Sequence, residues 1–365
     1  MILTVLDRMS GRPAWLRWAL LTVGLTAAFA LPWILYPPVA ADILCWGLFA
    51  VAFDLLLGHA GLLSFGHAAF WGTSAYATGL IAIHSGLPFY VAVLGGGLAA
   101  ALIALPIGYL SVRCGGIYFA MVTLAFAQMV YFIANQWGDV TGGENGLQGI
   151  PRSMPGIDLS DSFVFYYAAL PVVLLCLAVA WRIVHSPFGR VVGAVRDNPA
   201  RARALGYPTH RYNLTIFVIS AFLAGIAGGL YAVNHGFASL QEVYWTTSGK
   251  VVVMTVLGGI GTLWGSLIGA TAIVRLEDWL ATSGFEEVGL VTGTVFILVV
   301  LLFRRGVWGT VAHALNSREP RLSPGSAPSG KTGKPGAPGA ASAEPRAAGV
   351  ASPGTQHSDG GLPHP

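Results

Sequence analysis

The polar residues that interrupt the apolar runs of this chain are the first candidates for chemistry. The stretch 58–72 places His59, Ser64 and His67 among glycines, just after the acidic Asp54. Polar groups inside a bilayer are costly and face a bundle interior or a water-filled cavity. This stretch therefore predicts either structural hydrogen bonds or part of a transport path. No HExxH pattern or carboxylate cluster accompanies the histidines, so we expect no metal ion and no other cofactor.

A second polar stretch, residues 123–151, carries Thr123 and Gln128 in an apolar run and then enters a glycine-rich loop. Glycines in the loop leave backbone amides free to face a ligand or a docking partner, or form a flexible outer turn. Hydrogen-bonding side chains in apolar runs can line a transport path. The candidates for such a path are Ser64, His67, Thr123 and Gln128. The phosphate-binding pattern GxxxxGK[ST] is absent from the sequence, so the chain does not bind ATP in that way.

Composition indicates which solvent surrounds these residues. Hydrophobic residues make up 55% of the 365 positions and charged residues 10%, against about 25% charged in ordinary soluble domains. The mean hydropathy is +0.66. So much apolar surface requires lipid as the solvent for most of the chain. The net charge of +4 suggests a nucleic-acid partner, but the arginines cluster in short loops between apolar runs, so we expect none.

The apolar runs predict the fold class: an all-α, polytopic bundle of about eight to ten membrane-spanning helices. A spanning helix needs about 20 mainly apolar residues. Aromatic residues lie near the ends of several runs, as expected at membrane interfaces. The first run is longer than the core of a cleavable signal peptide, so we interpret it as an uncleaved span. The runs are 16–36, 39–58, 67–84, 88–111, 116–136, 163–183, 212–234 and 289–303, with a glycine-broken run at 248–274.

The broken run decides the position of the C-terminus. If 248–274 is one span, Arg304 and Arg305 finish outside; a break at 258–261 gives two short crossings or a re-entrant hairpin and returns them inside. The glycines at 261, 265 and 269 have the spacing of one helix face, which permits close helix packing in lipid or lines a path. The predicted helix-packing residues are Gly261, Gly265 and Gly269.

Basic loops predict the orientation, because lysine and arginine favour the cytoplasmic side. The arm 1–15 and the loop 185–211 are rich in arginine, whereas the loop 137–162 is mainly acidic. We therefore expect a cytoplasmic N-terminal arm, a transmembrane domain over 16–305, and both termini in the cytoplasm. Residues 316–365 are rich in Pro, Gly, Ala and Ser without aromatic residues, which predicts a disordered cytoplasmic tail.

The loop 185–211 predicts two short helices. Residues 188, 191, 192 and 195 form an apolar face at helical spacing. Asn198 before a proline is a helix start, and Gly206 is a helix stop. Such helices either lie on lipid headgroups or dock a cytoplasmic motor whose carboxylates pair with the arginines. The candidate docking residues are Phe188, Gly189, Arg190, Val195, Arg196, Asn198 and Gly206.

Four segments together resemble one known family. They are GHAGLLSFGHAAFWGTSAY, GGIYFAMVTLAFAQMVYFIA with TGGENGL, SPFGRVVGAVRDNPARARALGY, and LGGIGTLWGSLIGA. Over about residues 40–305 the chain resembles the permease subunits of branched-chain amino-acid ABC importers, which include relatives for urea and short amides. The resemblance implies a bacterial inner-membrane, non-catalytic subunit. It also implies a homologous second permease, two cytoplasmic ATPase subunits and an extracytoplasmic solute-binding protein, with 185–211 as the coupling element.

Two other classes of membrane protein fit parts of the pattern. A secondary transporter also uses broken helices and polar residues at the membrane midplane, but it needs no docking loop. A polytopic enzyme needs titratable groups paired in catalytic geometry, and the sequence offers only Asp54 and the histidines. Import driven by partner ATPases, with leucine, isoleucine or valine as solute and urea or a short amide as the alternative, is therefore the function we expect.

The predicted orientation is testable by cysteine labelling. In a background lacking Cys45, Cys114 and Cys176, single cysteines at Ser153 and Ser317 should react with a membrane-impermeant maleimide from opposite faces. The reason is that 153 lies in the acidic loop and 317 follows the last basic pair. Labelling of both positions from the same face would disprove the orientation.

Overall fold

The structure is a computed structural model that describes residues 26, 28–154, 157–283, 289–291, 293, 294 and 297. The expected arm 1–15 and tail 316–365 lie outside these residues. The helices are α1 (Pro37–Asp54, continued by a π-helical turn, Leu55–Ala60), α2 (His67–Ser85), α3 (Phe89–Ser111), α4 (Ile117–Gln136), α5 (Ser162–Val184), α6 (Pro187–Asp197), α7 (Pro199–Ala204), α8 (Thr209–His235), α9 (Leu240–Val243), α10 (Trp245–Gly258) and α11 (Leu263–Thr282).

Short elements occupy the loop between α4 and α5. Gly138–Thr141 and Gly143–Asn145 each form about one helical turn. Strand β1 (Leu147–Gln148) pairs antiparallel with β4 (Phe237–Ala238), and β2 (Ser153–Met154) pairs with β3 (Ile157–Asp158). The first pair ties the loop to the end of α8. The all-α fold class is confirmed, because these two-residue strands are minor.

The spanning helices follow the predicted runs within three residues at either end. Within the described part of the chain, five helices are long and apolar enough to cross a membrane: α1 with its π turn, α3, α4, α5 and α8. The pair α10–α11 passes the same test as one broken span. The total of eight to ten spans stays a prediction, because the runs 16–36 and 289–303 fall largely outside the described residues.

Helix α1 is the centre of the bundle. In the most apolar 18-residue stretch of α1, 94% is buried inside the protein, whereas the corresponding buried share is 28% for α4 and 39% for α5. The outer helices instead present large apolar side chains outward, such as Leu102 (68% exposed) and Phe132 (62%). In water such a surface would drive association; in a bilayer it is the face that contacts lipid.

Glycines let α8 pack tightly on α2 and α3, as the pair Gly225 and Gly229 predicts. A Cβ added at Gly225 would lie 2.6 Å from the Cβ of Ala100, and one at Gly229 would lie 2.5 Å from Thr78 Oγ1. Ser74 Oγ donates to the Gly225 carbonyl at 2.6 Å. Such close approach replaces the hydrophobic effect as the source of helix association in lipid.

The run 248–274 is broken where the sequence predicts. Helix α10 ends at Gly258, α11 begins at Leu263, and the two axes are bent by 117°. The bend exceeds a right angle, so α11 turns back along α10. Gly259 (φ 109°) and Gly261 (φ 79°) adopt backbone conformations that favour glycine.

The prediction of three packing glycines on one helix face is wrong for Gly261. Its positive φ places it in the turn before α11, so only Gly265 and Gly269 lie on that helix. A Cβ at Gly265 would overlap the Thr262 hydroxyl and contact the Gly258 carbonyl carbon at 3.0 Å. One at Gly269 would overlap the Met254 carbonyl oxygen. These two glycines close the hairpin.

The packing interpretation predicts a contrast between two glycine-to-alanine variants. In Gly228→Ala the new Cβ overlaps the Trp71 carbonyl oxygen, so we expect a loss of about 1–3 kcal/mol of stability. The control Gly249→Ala lies in α10 with nothing within 4 Å of the added Cβ, and its stability should be unchanged or slightly raised. Thermal unfolding in detergent measures both. Equal stability of the two variants would contradict tight packing of α8 on α2.

Candidate functional site

The C-terminal end of α1 is irregular and buried. After Asp54 the helix continues as a π turn over Leu55–Ala60 and stops at Gly61 (φ 72°). A π turn is rare and often occurs at functional sites. The Asp54 side chain is fully buried, and its Oδ1 accepts a hydrogen bond from the Gly261 amide at 2.7 Å. The end of α1 is thus joined to the glycine turn of the α10–α11 hairpin.

A third segment reaches the same point. The guanidinium of Arg196, on α6, donates to the Gly58 carbonyl in the π turn. Gly58 itself permits the contact with the hairpin, because a Cβ there would lie 2.6 Å from Gly261 Cα. We call Asp54, Gly58, Arg196 and Gly261 the polar junction. It joins α1, the hairpin and the loop 185–211 through backbone and charged groups.

The two predicted helices of the loop 185–211 are confirmed as α6 and α7. Ser186 caps α6 by accepting from the Gly189 amide at 3.2 Å, and Asn198 caps α7 by accepting from the Arg201 amide at 2.9 Å. α7 ends at Ala204, and Gly206 follows with a φ of 86°. The start and stop signals in the sequence therefore act where they were expected.

The apolar face of α6 packs on the chain's own bundle. Val192 and Val195 are buried, and Phe188 stacks on Tyr212 of α8 with ring centroids 5.5 Å apart. The apolar face of α6 is therefore in contact with the chain itself, and docking of the loop to a partner stays a prediction. Exposed side chains of the loop are Arg190 on α6, Arg201 and Arg203 on α7, and Leu205 at the end of α7, the last 71% exposed.

The candidate path residues lie close together around the segment that joins α1 to α2. Ser64 Oγ accepts from the Gly66 amide at 3.1 Å, and Thr123 Oγ1 accepts from the Phe65 amide at 3.2 Å. His67 Nε2 is 2.8 Å from Ser220 Oγ of α8. All three side chains are fully buried, whereas Gln128 is half-buried. These contacts match the structural-hydrogen-bond alternative, and the path role stays a prediction.

The second histidine of this stretch lies beside Asp54. His59 Nδ1 is 3.3 Å from the Asp54 carbonyl oxygen and 3.8 Å from its Oδ2. Among the residues that the structure describes, no group of three or more His, Cys, Asp or Glu side chains is placed to hold a metal ion.

Comparison with known proteins identifies the family. The family model described as "Branched-chain amino acid transport system / permease component" matches residues 38–303. This chain belongs to that permease family. The match includes the whole polar junction and stops before the tail.

Curated relatives agree with the family. One relative is LivM of Escherichia coli (strain K12), the high-affinity branched-chain amino acid transport system permease protein. The two sequences are 30% identical over 279 residues, and the alignment covers 70% of this chain and 65% of LivM. LivM of Salmonella typhimurium is 29% identical, covering 74% and 69%. The autoinducer 2 import system permease protein LsrC of Enterobacter sp. (strain 638) is 29% identical, covering 51% and 56%. The chain thus spans about two thirds of the LivM proteins. No solved structure is significantly similar to it.

The permease also contains a charged and aromatic cavity that was not evident from the sequence. Its volume is about 280 Å³, and Glu242 and Lys250 line it among aromatic rings. Burial raises the pKa of Glu242 to about 7, against the opposing effects of the Ser239 hydrogen bonds and of His235. The sequence contains one indication of this cavity, because Lys250 is the only lysine in the first 330 residues.

The polar junction of the permease predicts a specific loss in Arg196→Gln. Without the guanidinium the Gly58 carbonyl loses a charge-assisted hydrogen bond, worth about 1.5–3 kcal/mol. Amides in the π turn should then exchange hydrogen for deuterium faster. The control Arg203→Gln removes an exposed arginine from α7 and should leave this exchange unchanged. Identical exchange of residues 55–62 in both variants and the parent would show that Arg196 does not hold the turn.

Proposed function

We propose that this chain is the membrane-spanning subunit of an ATP-driven importer for leucine, isoleucine and valine in the bacterial inner membrane. Its partners are a homologous second permease, two cytoplasmic ATPase subunits that hydrolyse the ATP, and an extracytoplasmic solute-binding protein. Both termini face the cytoplasm. The family match over residues 38–303 and the two LivM relatives, named for branched-chain amino acids, support this proposal.

One observation supports ATP-driven import in particular: the docking of α6 and α7. The apolar face of α6 is buried against the bundle, and Arg196 is bonded to the Gly58 carbonyl. The loop is thus firmly attached to the permease while Arg190, Arg201 and Arg203 point away from it. Arginines suit a partner surface rich in carboxylates, because the planar guanidinium binds carboxylate through two hydrogen bonds. A secondary transporter would not require this element.

The polar junction supplies a route from the loop to the transport path. A displacement of α6 by the ATPase would act on the π turn through Arg196, and on the hairpin through Asp54 and the Gly261 amide. The positive-φ glycines at 259 and 261 can absorb backbone rotation there. Ser64, His67, Thr123 and Gln128 are the proposed path residues on the other side of the π turn.

Reconstitution tests the energy source and the solute. The complete complex with its binding protein, in proteoliposomes, should accumulate labelled leucine only when ATP is present on the ATPase side. Urea and acetamide serve as the competing solutes. Uptake of leucine by this chain alone, driven by a proton or sodium gradient, would support a secondary transporter. ATP-dependent uptake of urea or acetamide without leucine would assign the chain to the amide-transporting relatives.

Charge reversal tests the docking surface. Arg203→Glu places a carboxylate where the ATPase should present its own, so co-purification of the ATPase should fall and uptake should be lost. The control Arg113→Glu reverses an exposed arginine just beyond the end of α3, outside the loop, and should retain the ATPase. If both variants bind the ATPase as the parent does, α7 is not part of its docking surface.

A further inference from the structure

A cavity separate from the polar junction lies between α1, α2, α8 and the start of the hairpin. Trp46, Trp71 and Tyr231 form one wall, with the Trp46 and Trp71 rings stacked at 5.0 Å. Phe237 of β4 and the residues of α9 complete it. The volume of about 280 Å³ is close to the lower end of the usual range for small-molecule sites, about 300–1,000 Å³. It suits a ligand of amino-acid size.

Charged groups enter this cavity from two elements. Lys250 Nζ lies 4.1 Å from the centre of the Trp46 ring and 2.5 Å from Glu277 Oε2 on α11. Glu242, on α9, is only 7% exposed. Its Oε1 accepts from the Ser239 amide and hydroxyl at 3.3 Å each. A cation and an anion thus line one cavity beside an aromatic wall.

Two of the residues that line the cavity have a buried polar atom without a partner within the described part of the chain. The atoms are Glu242 Oε2 and the indole Nε1 of Trp71. A buried acceptor or donor without a hydrogen bond costs about 1–3 kcal/mol, and more when the group is charged. Neither atom is exposed to the open volume of the cavity. One needs a donor and the other an acceptor, so a ligand that carries both an ammonium and a carboxylate group can pair with both once the two side chains turn toward it.

We propose that this cavity binds an α-amino acid with an apolar side chain. Its ammonium group binds the Glu242 carboxylate, its carboxylate binds Lys250 and the Trp71 N–H, and its side chain packs on the aromatic wall. The assignment rests on the proposed function, because it gives the imported solute a binding site within the membrane subunit.

The charge balance favours this ligand over an amide or a simple anion. Lys250 is paired with Glu277, outside the lining of the cavity. Glu242 has its hydrogen bonds only from Ser239, so its second carboxylate oxygen is left to accept from a ligand ammonium. Lys250 has three donors, and its contact with Glu277 leaves others for a ligand carboxylate. Urea carries no charge to match either group.

Three small probes that share the isobutyl group of leucine separate the two charge contacts. They are L-leucine, 4-methylpentanoate (without the ammonium) and 3-methylbutylamine (without the carboxylate). Saturation-transfer NMR measures their binding to the assembled complex in nanodiscs, without the binding protein. Glu242→Gln should weaken leucine and 3-methylbutylamine about tenfold or more, since a hydrogen bond to a charged group is worth about 1.5–3 kcal/mol. It should leave 4-methylpentanoate nearly unchanged.

Lys250→Gln should give the opposite selectivity, weakening leucine and 4-methylpentanoate and sparing the amine. Glu144→Gln, the same change on an exposed carboxylate of the loop after α4, is the matched control and should bind all three probes as the parent does. Opposite selectivity in the two cavity variants cannot arise from misfolding. Equal loss of all three probes in both variants, or leucine binding by Glu242→Gln equal to that of the control, would overturn the assignment.

ATP-dependent leucine uptake by the parent complex, in the same preparation, separates this inference from the proposed function. If uptake occurs but the probes do not distinguish the variants, the cavity is not a solute site and the importer function stands. If the parent neither imports leucine nor binds the probes, both proposals fail.

Discussion

The structure depends on how the end of one buried helix satisfies its polar groups. α1 lies at the centre of the bundle, so its terminal carbonyls and Asp54 have protein around them where water would otherwise bind. An unsatisfied backbone group in such surroundings costs several kcal/mol. Arg196 supplies a partner for the Gly58 carbonyl and the Gly261 amide one for Asp54 Oδ1, while Asp54 Oδ2 has His59 Nδ1 at 3.8 Å. Because these groups belong to different elements, the loop 185–211 and the hairpin are fixed in place by the same requirement.

Close packing reinforces this requirement. Gly58 has no room for a side chain beside Gly261. A Cβ added at Gly61 would lie 2.9 Å from Arg196 Cγ. The glycines of α8 and α11 act in the same way elsewhere in the bundle. In lipid, helices gain little from burying apolar surface against each other, so contact area and short hydrogen bonds determine the arrangement. Glycine therefore marks the positions where segments meet.

Local patterns predicted most of the fold, because they report backbone preferences. The spanning runs, the break after Gly258, and the helix start at Asn198 all follow from residues near one another in the sequence. Gly261 was misassigned because glycine spacing does not distinguish a helix face from a turn. The apolar face of α6 packs on the bundle partly through the stacking of Phe188 on Tyr212, a residue outside that helix. The cavity brings together residues of five helices, namely Trp46, Trp71, Tyr231, Glu242 and Lys250. Such convergence has no signal in local spacing.

The hairpin α10–α11 connects the polar junction with the aromatic cavity. Lys250 lies in the second turn of α10, and Gly258 ends that helix beside the polar junction. An α-helix of this length, about 1.5 Å per residue, moves as a unit, and the close contacts of Gly265 and Gly269 with Gly258 and Met254 hold α11 to it. A movement of α6 that shifts Gly261 would therefore carry Lys250 with it. Glu242, on α9, moves with α10, because the Thr247 hydroxyl donates to the Gln241 carbonyl at 2.8 Å and the Gln241 side-chain amide donates to the Thr246 hydroxyl at 3.2 Å. Under the proposed function, ATP-linked motion of the loop would thus shift both charged groups of the cavity relative to its aromatic wall.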